Sequence, residues 1–541
     1  MTRAGTESLI RQTTTGAVRG MRERKRDPRD REATGHDDPG RTVLSWKGIP
    51  FAAAPVGPLR FRRPQPPEPW EGTRPATRFG PMAPQRVLRS MEVVPGVGVS
   101  EDCLTVNVWA PAGAEPGSKP VMVWIHGGGY FQGSTAQRFY DGRNLASEGD
   151  VVVVSLNYRL GVIGFVDFTT VDGLAGATSA NASAAGGGPA FDSNIGLRDQ
   201  IAALEWVREN VAAFGGDPGN ITLFGESAGG ACVIALMASP LATGLFHRAI
   251  AQSAPVTSVY GRDRAAAVAR RFLGIVGIEP TDAQRLQELD PFALVDAGGE
   301  LVHEVSAQVP GTLALAPVHG DDVLPEYPLT VFREGRSPRI PLIIGTNRDE
   351  SSFFKLMRSP LLPITPEAVK QMFLEIASDR PEFEDAAERI TAAYPAYPRR
   401  STPAEVSRDA GFRMPSIWLA EAHSRHAPTW MYRFDHATPL LRITGIGATH
   451  AAELAYVFGT FAPWGKDLVF RLGGRAEALR VSERMQAHWL AFARTGAVEP
   501  TWPPYDERFR STLLIDKDDT VEHDPDGAVR EAWGPEILAF R

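Results

Sequence analysis

The run ITLFGESAGG, residues 221–230, decides how the rest of the chain is read. A short β-like stretch, 221–224, leads directly into Gly225-Glu226-Ser227-Ala228-Gly229, and CVIALMA at 232–238 follows with helical character. A serine spaced G-x-S-x-G between a strand and a helix predicts a sharp, strained turn that lifts its hydroxyl above the end of a sheet. Glycines flank such a serine because side chains there would collide with neighbouring elements. Ser227 is therefore the candidate nucleophile.

A second glycine run, His126-Gly127-Gly128-Gly129-Tyr130, follows the apolar VMVWI at 121–125. Glycines let backbone N–H groups approach a substrate oxygen, and a tetrahedral acyl-transfer intermediate needs several donors aimed at its charge. Gly128, Gly129 and Ala228 are the expected donors of this oxyanion hole, while His126 is read as fixing the loop. Outward from these motifs, VVVVSL at 151–156 and the apolar runs around 250, 342–344 and 430–434 read as strands. Leu197, Ile201, Leu204 and Val207 recur at helical spacing within 195–214, and His423, His426 and His488 fall in stretches read as amphipathic helices. Continuous β-branched runs suit parallel strands buried on both faces. The expectation is an α/β fold with a mainly parallel central sheet flanked by helices on both faces. No repeat or linker divides 1–541, which reads as one domain with a charged hairpin loop at about 22–41 and a Gly/Ala/Ser-rich insertion at about 172–194.

Composition sets outer bounds. Of 541 residues, 43% are hydrophobic and 22% charged, enough apolar material for a large core. The 57 Lys and Arg against 64 Asp and Glu leave a net charge of −7, which argues against nucleic acid as a partner. Cys103 and Cys232 are the only cysteines, as expected in a reducing compartment. The opening MTRAGTESLIRQTTTGAVRG lacks the apolar core of a signal peptide, and no stretch is apolar for the ~20 residues of a membrane span, so a cytoplasmic location is expected. No Cys/His spacing suggests a metal site, and the chemistry requires no cofactor.

Taken together, SWKGIPFAAAPVGPLRF (45–61), EDCLTVNVWAP (101–111), SLNYRLGVIGF (155–165), GDPGNITLFGESAGG (216–230), PLIIGTNRDE (341–350) and GATHAAELAYVFG (447–459) resemble the type-B carboxylesterases. That family holds cholinesterases, mammalian carboxylesterases and bacterial para-nitrobenzyl esterases, and the resemblance covers nearly the whole chain. It implies the α/β-hydrolase fold and a triad of Ser227, Glu350 and His450, an order that matches the chain order of that fold. It further implies that Glu226, Ser253 and Glu453 support the histidine, and that Tyr130, Phe131 and Tyr260 wall the substrate pocket. The implied activity is serine-dependent hydrolysis of small-molecule carboxylic esters, with short acyl groups and bulky or aromatic alcohols. Carbamate, amide or thioester hydrolysis by the same triad is an alternative, and a non-catalytic adhesion module of the same fold is another. Oligomeric state is not legible. Two departures stand out: no cysteine precedes Cys103, which eukaryotic members pair with an upstream partner, and Ser351 replaces the glycine that usually follows the acid. A serine held there at positive φ would be strained.

Overall fold

Apolar runs too continuous for a half-exposed strand build the middle of an eleven-stranded mixed sheet. The computed structural model describes residues 8–24, 42–88, 91–171, 191–399, 401–461 and 468–540. From edge to edge the sheet runs Thr520–His523, Ser511–Ile515, Thr429–Phe434, Leu342–Asn347, Arg248–Gln252, Gly216–Glu226, Lys119–Ile125, Val152–Leu156, Thr105–Pro111, Thr42–Pro50 and Met21–Arg24. Pairing is parallel from Ser511–Ile515 through to Val152–Leu156 and antiparallel beyond both ends of that block. A separate three-stranded sheet joins Ile10–Thr13, Gly16–Arg19 and Thr73–Pro75.

Alternation along each central strand feeds two cores. Val121, Val123 and Ile125 enter one, while Met122 and Trp124 of the same strand enter the other. Helices Ile195–Asn210, Ala228–Ala238 and Met414–Ser424 contribute to the first core, and Leu454–Phe458 and Arg475–Thr495 to the second. Both faces are thus covered, as parallel sheets require. No helix among the described residues is long and apolar enough to cross a membrane.

Several boundaries differ from the sequence reading for local reasons. Strand Gly216–Glu226 starts before its apolar run because Gly216 already pairs with Lys119, the ladder resuming at Ile221 opposite Val121 after a register irregularity. The helix from Ile195 tightens into a 3-10 turn, Val211–Phe214, that ends at Gly215 with φ 96°. His426 lies past the end of Met414–Ser424 rather than within it. The arms of the expected hairpin pair as Met21–Arg24 with Thr42–Pro50, while 25–41 and 172–190 lie outside the described residues.

One buried ion pair ties the glycine-rich loop to this frame. Arg159 and Asp199 are 3% and 0% exposed, and Asp199 accepts from Arg159 Nε at 2.8 Å, Nη2 at 2.6 Å and the backbone N–H at 3.0 Å. On either side of Arg159, the Tyr158 hydroxyl donates to the His126 carbonyl at 2.7 Å, and the Gly161 N–H donates to the Tyr130 carbonyl at 2.7 Å. Removing one partner would strand a charge in the interior. Asp199→Ala should lower stability by about 3–5 kcal/mol, read as a lower urea midpoint, whereas a midpoint at the wild-type value would show that the pair carries no such load.

Candidate active site

Strand Gly216–Glu226 runs directly into helix Ala228–Ala238, and the junction residue Ser227 holds φ 57°, ψ −126°. That conformation is costly for a side chain bearing a Cβ and persists only where surroundings over-determine it. Here they do. The Ser227 N–H donates to the Gln252 carbonyl on the adjacent strand at 2.9 Å. A Cβ on Gly225 would sit 2.6 Å from the Gly229 carbonyl, one on Gly229 would sit 2.2 Å from the Ile125 carbonyl, and one on Gly230 would sit 2.8 Å from the Gln252 carbonyl. The glycines of the motif are spatial necessities that let strand and helix close on the serine.

Glu350 follows strand Leu342–Asn347, two places along the sheet from the serine's strand, and His450 comes after the next strand, Thr429–Phe434, and the short helix Pro439–Ile443. His450 Nε2 lies 2.9 Å from Ser227 Oγ, and His450 Nδ1 lies 2.6 Å from Glu350 Oε2. The other Glu350 oxygen accepts the Asn347 N–H at 2.7 Å. The two loops are stapled together: Asp349 Oδ2 accepts the Ala448 N–H at 2.9 Å, and the Ser352 hydroxyl lies 2.6 Å from the Ile446 carbonyl. Gly447, at φ 65°, permits this approach, since a Cβ there would sit 2.1 Å from Asp349 Oδ2. Ser351 opens the helix Ser351–Met357 and is not among the positive-φ residues, so the strain expected of it is absent.

Three carboxylates surround one imidazole. Glu226 Oε1 lies 3.1 Å from His450 Nε2 but makes no aligned hydrogen bond. Glu453 accepts from Gln252 Nε2 at 3.0 Å and from Asn347 Nδ2 at 2.6 Å. Burial alone would lower the His450 pKa, but the charges of Glu226, Glu350 and Glu453 outweigh it and raise the value to about 9. Burial pushes Glu226 up to about 8, against the opposing pull of His450. Burial, with the nearby Glu350 charge, also raises Glu453. A charged Glu226 therefore keeps a proton on the imidazole, whereas a neutral one leaves Nε2 free to accept from Ser227.

The glycine-rich loop lies beside the serine. Gly128 has φ 117° and a Cβ there would sit 2.0 Å from the Gln132 carbonyl, while Gly129 has φ 61° with the Phe131 ring against it. Among the described residues, the N–H groups of Gly128, Gly129 and Ala228 have no acceptor. The other expected residues separate. Tyr130 is wholly buried, its ring 4.7 Å from that of Phe165. Tyr260 lines a small cavity with Thr257, Leu362 and Phe540, and its hydroxyl accepts the Leu313 N–H. Ser253, at φ 47°, has a buried hydroxyl with no partner among the described residues. The sequence reading missed Asn347 and Gln252, and it missed Phe354 and Phe412, whose rings lie 5.1 and 4.9 Å from the imidazole. No cluster of three His, Cys, Asp or Glu among the described residues is arranged to hold a metal.

Comparison with known proteins agrees on one family. A model described as the carboxylesterase family matches residues 7–533. The para-nitrobenzyl esterase of Bacillus subtilis (strain 168) is 37% identical over 506 residues, covering 91% of this chain and 95% of the relative. The fumonisin B1 esterase of Sphingopyxis macrogoltabida is 33% identical over 521 residues, covering 92% and 85%. A solved structure titled thermophylic PNB esterase superposes with TM-score 0.80 at 35% identity, covering 97% of this chain and 100% of that one.

The rate at which a fluorophosphonate labels Ser227 should fall on acidification with its midpoint above 6.5, the ordinary histidine value. In Glu226→Gln the midpoint should move to lower pH, because the largest charge holding the imidazole proton is gone. A wild-type midpoint at or below 6.5 that the substitution leaves in place would contradict this electrostatic picture.

Proposed function

We infer, because this chain belongs to the carboxylesterase family and is a carboxylic ester hydrolase, that it works through an acyl-enzyme formed on Ser227. The observation that carries the reading is the continuous line from Ser227 Oγ to His450 Nε2 and from His450 Nδ1 to Glu350, at 2.9 and 2.6 Å, ending on a serine held at φ 57°. His450 takes the proton of Ser227 as its oxygen attacks the ester carbonyl. Glu350 fixes the ring so that Nε2 faces the serine, and its negative charge stabilises the imidazolium that forms. The N–H groups of Gly128, Gly129 and Ala228 receive the oxyanion, which is consistent with their lack of another acceptor among the described residues. His450 then protonates the departing alcohol, and water attacks the acyl-enzyme with the same imidazole as base. Glu226, Asn347, Gln252 and Glu453 hold the ring and its charge in place. Residues from 227 to 450 meet on one sheet, which supports reading 1–541 as one catalytic unit.

Small-molecule esters with short acyl groups and bulky or aromatic alcohols fit the site best. Phe131 beside Gly129 and Phe354 beside the imidazole bring aromatic walls close to the serine. Ser227→Ala should fold normally and lose turnover by a factor on the order of 10⁴ or more. Across p-nitrophenyl esters from acetyl to palmitoyl, kcat/KM of the wild type should peak at the short end. Substantial turnover by Ser227→Ala would overturn the mechanism, and a long-chain maximum would overturn the assigned substrate class.

A further inference from the structure

The helical run that carries Phe412 changes its winding where the ring is presented. An α-helix, Thr402–Arg408, passes into a π-helical turn, Asp409–Arg413, and returns to an α-helix, Met414–Ser424. Pro415 gives a local cause, since it has no N–H for the Gly411 carbonyl and its ring crowds that carbonyl in a regular helix. Such wide turns are rare and cluster at functional sites.

Around this turn the interior concentrates charge. Asp409 is fully buried and accepts from Arg408 Nε at 2.7 Å, Arg408 Nη2 at 2.9 Å and the Tyr394 hydroxyl at 2.5 Å. Trp533 Nε1 donates to the Tyr394 hydroxyl at 3.1 Å, so the clamp reaches the C-terminal helix Gly527–Trp533. Arg408 Nη1 donates to the Arg348 carbonyl at 3.2 Å, two residues before Glu350. A buried carboxylate with three donors tolerates little displacement, because removing any donor leaves charge unsatisfied. The turn is therefore fixed to both the body of the protein and the acid loop.

What the turn presents is the ring of Phe412, 4.9 Å from the His450 imidazole at an interplanar angle of 38°. Phe354 lies 5.1 Å away at 47°, and the two phenyl rings stack at 6.0 Å and 28°. The nitrogens of the imidazole are held by Glu350 and Ser227, while phenyl rings confine its carbon framework.

We propose that the π-helical turn Asp409–Arg413, clamped by Arg408 and Tyr394, is a positioning device whose Phe412 ring keeps His450 in line between Glu350 and Ser227. The inference rests on the triad proposed above. It assigns Phe412 as a positioning residue for the histidine, with Asp409 and Tyr394 acting through it.

Steady-state kinetics of Phe412→Leu, Phe412→Tyr and Tyr394→Phe, with Ser227→Ala alongside, test it. Phe412→Leu keeps apolar volume but removes the ring, and its kcat should fall about 10- to 100-fold with KM nearly unchanged, as expected when a reacting group is misplaced while substrate binding is kept. Phe412→Tyr restores a ring and should restore kcat. Tyr394→Phe removes one buried hydroxyl of the clamp and should lower kcat in the same direction by a smaller factor. If Ser227→Ala is inactive while Phe412→Leu and Tyr394→Phe keep wild-type kcat, the positioning role is wrong and the triad stands. A rise in KM alone would make Phe412 a substrate wall and also overturn it. Full activity of Ser227→Ala would instead remove the triad on which the inference rests.

Discussion

Everything at the site follows from one backbone constraint, the positive φ of Ser227 between a buried strand and a buried helix. A side chain in that conformation is unfavourable in isolation by about 1–3 kcal/mol. The surrounding sheet supplies the compensation through the Ser227 N–H to Gln252 bond and through the close approaches at Gly225, Gly229 and Gly230 that only glycine can make. Once the serine is fixed there, its hydroxyl faces the imidazole. The glycine-rich loop is held in place by Arg159, Tyr158 and Gly161.

Around that fixed point the interior is charged to an unusual degree. Glu226, Glu350 and Glu453 share one imidazole, and burial makes each additional negative charge costly unless a proton or a donor offsets it. Asn347 answers two of them at once, its backbone N–H bonding Glu350 and its side chain bonding Glu453. Gln252 does similar double duty, its carbonyl holding the serine turn and its side-chain amide holding Glu453, while Trp489 donates to its side-chain oxygen. Geometry and protonation are coupled because the same few amides serve both.

Much of this is legible in the sequence, for identifiable reasons. Parallel strands buried on both faces announce themselves as β-branched runs, and backbone that must pass close to other backbone announces itself as glycine. Hence the sheet, Ser227 and the loop at 127–129 can be read directly. Glu350 and His450 rest on resemblance, because no local rule says which loops meet above a sheet. The same blindness hides Asn347, Gln252 and Phe412, whose value lies in their approach to residues distant in the chain. Tyr130 shows the converse, a residue next to the key glycines whose φ of 67° accompanies a ring buried in the core. Ser351 reads as strained where a glycine is expected, yet it begins a helix and needs no special conformation.

The most direct test of the account is a crystal structure of the enzyme inactivated by a small alkyl fluorophosphonate. Phosphorus should be bonded to Ser227 Oγ, with the phosphoryl oxygen within hydrogen-bond distance of the N–H groups of Gly128, Gly129 and Ala228 and with His450 still paired to Glu350. Phosphorus on another residue, or a phosphoryl oxygen turned away from those three donors, would contradict the claim that the strained serine and its neighbouring amides form the reacting centre.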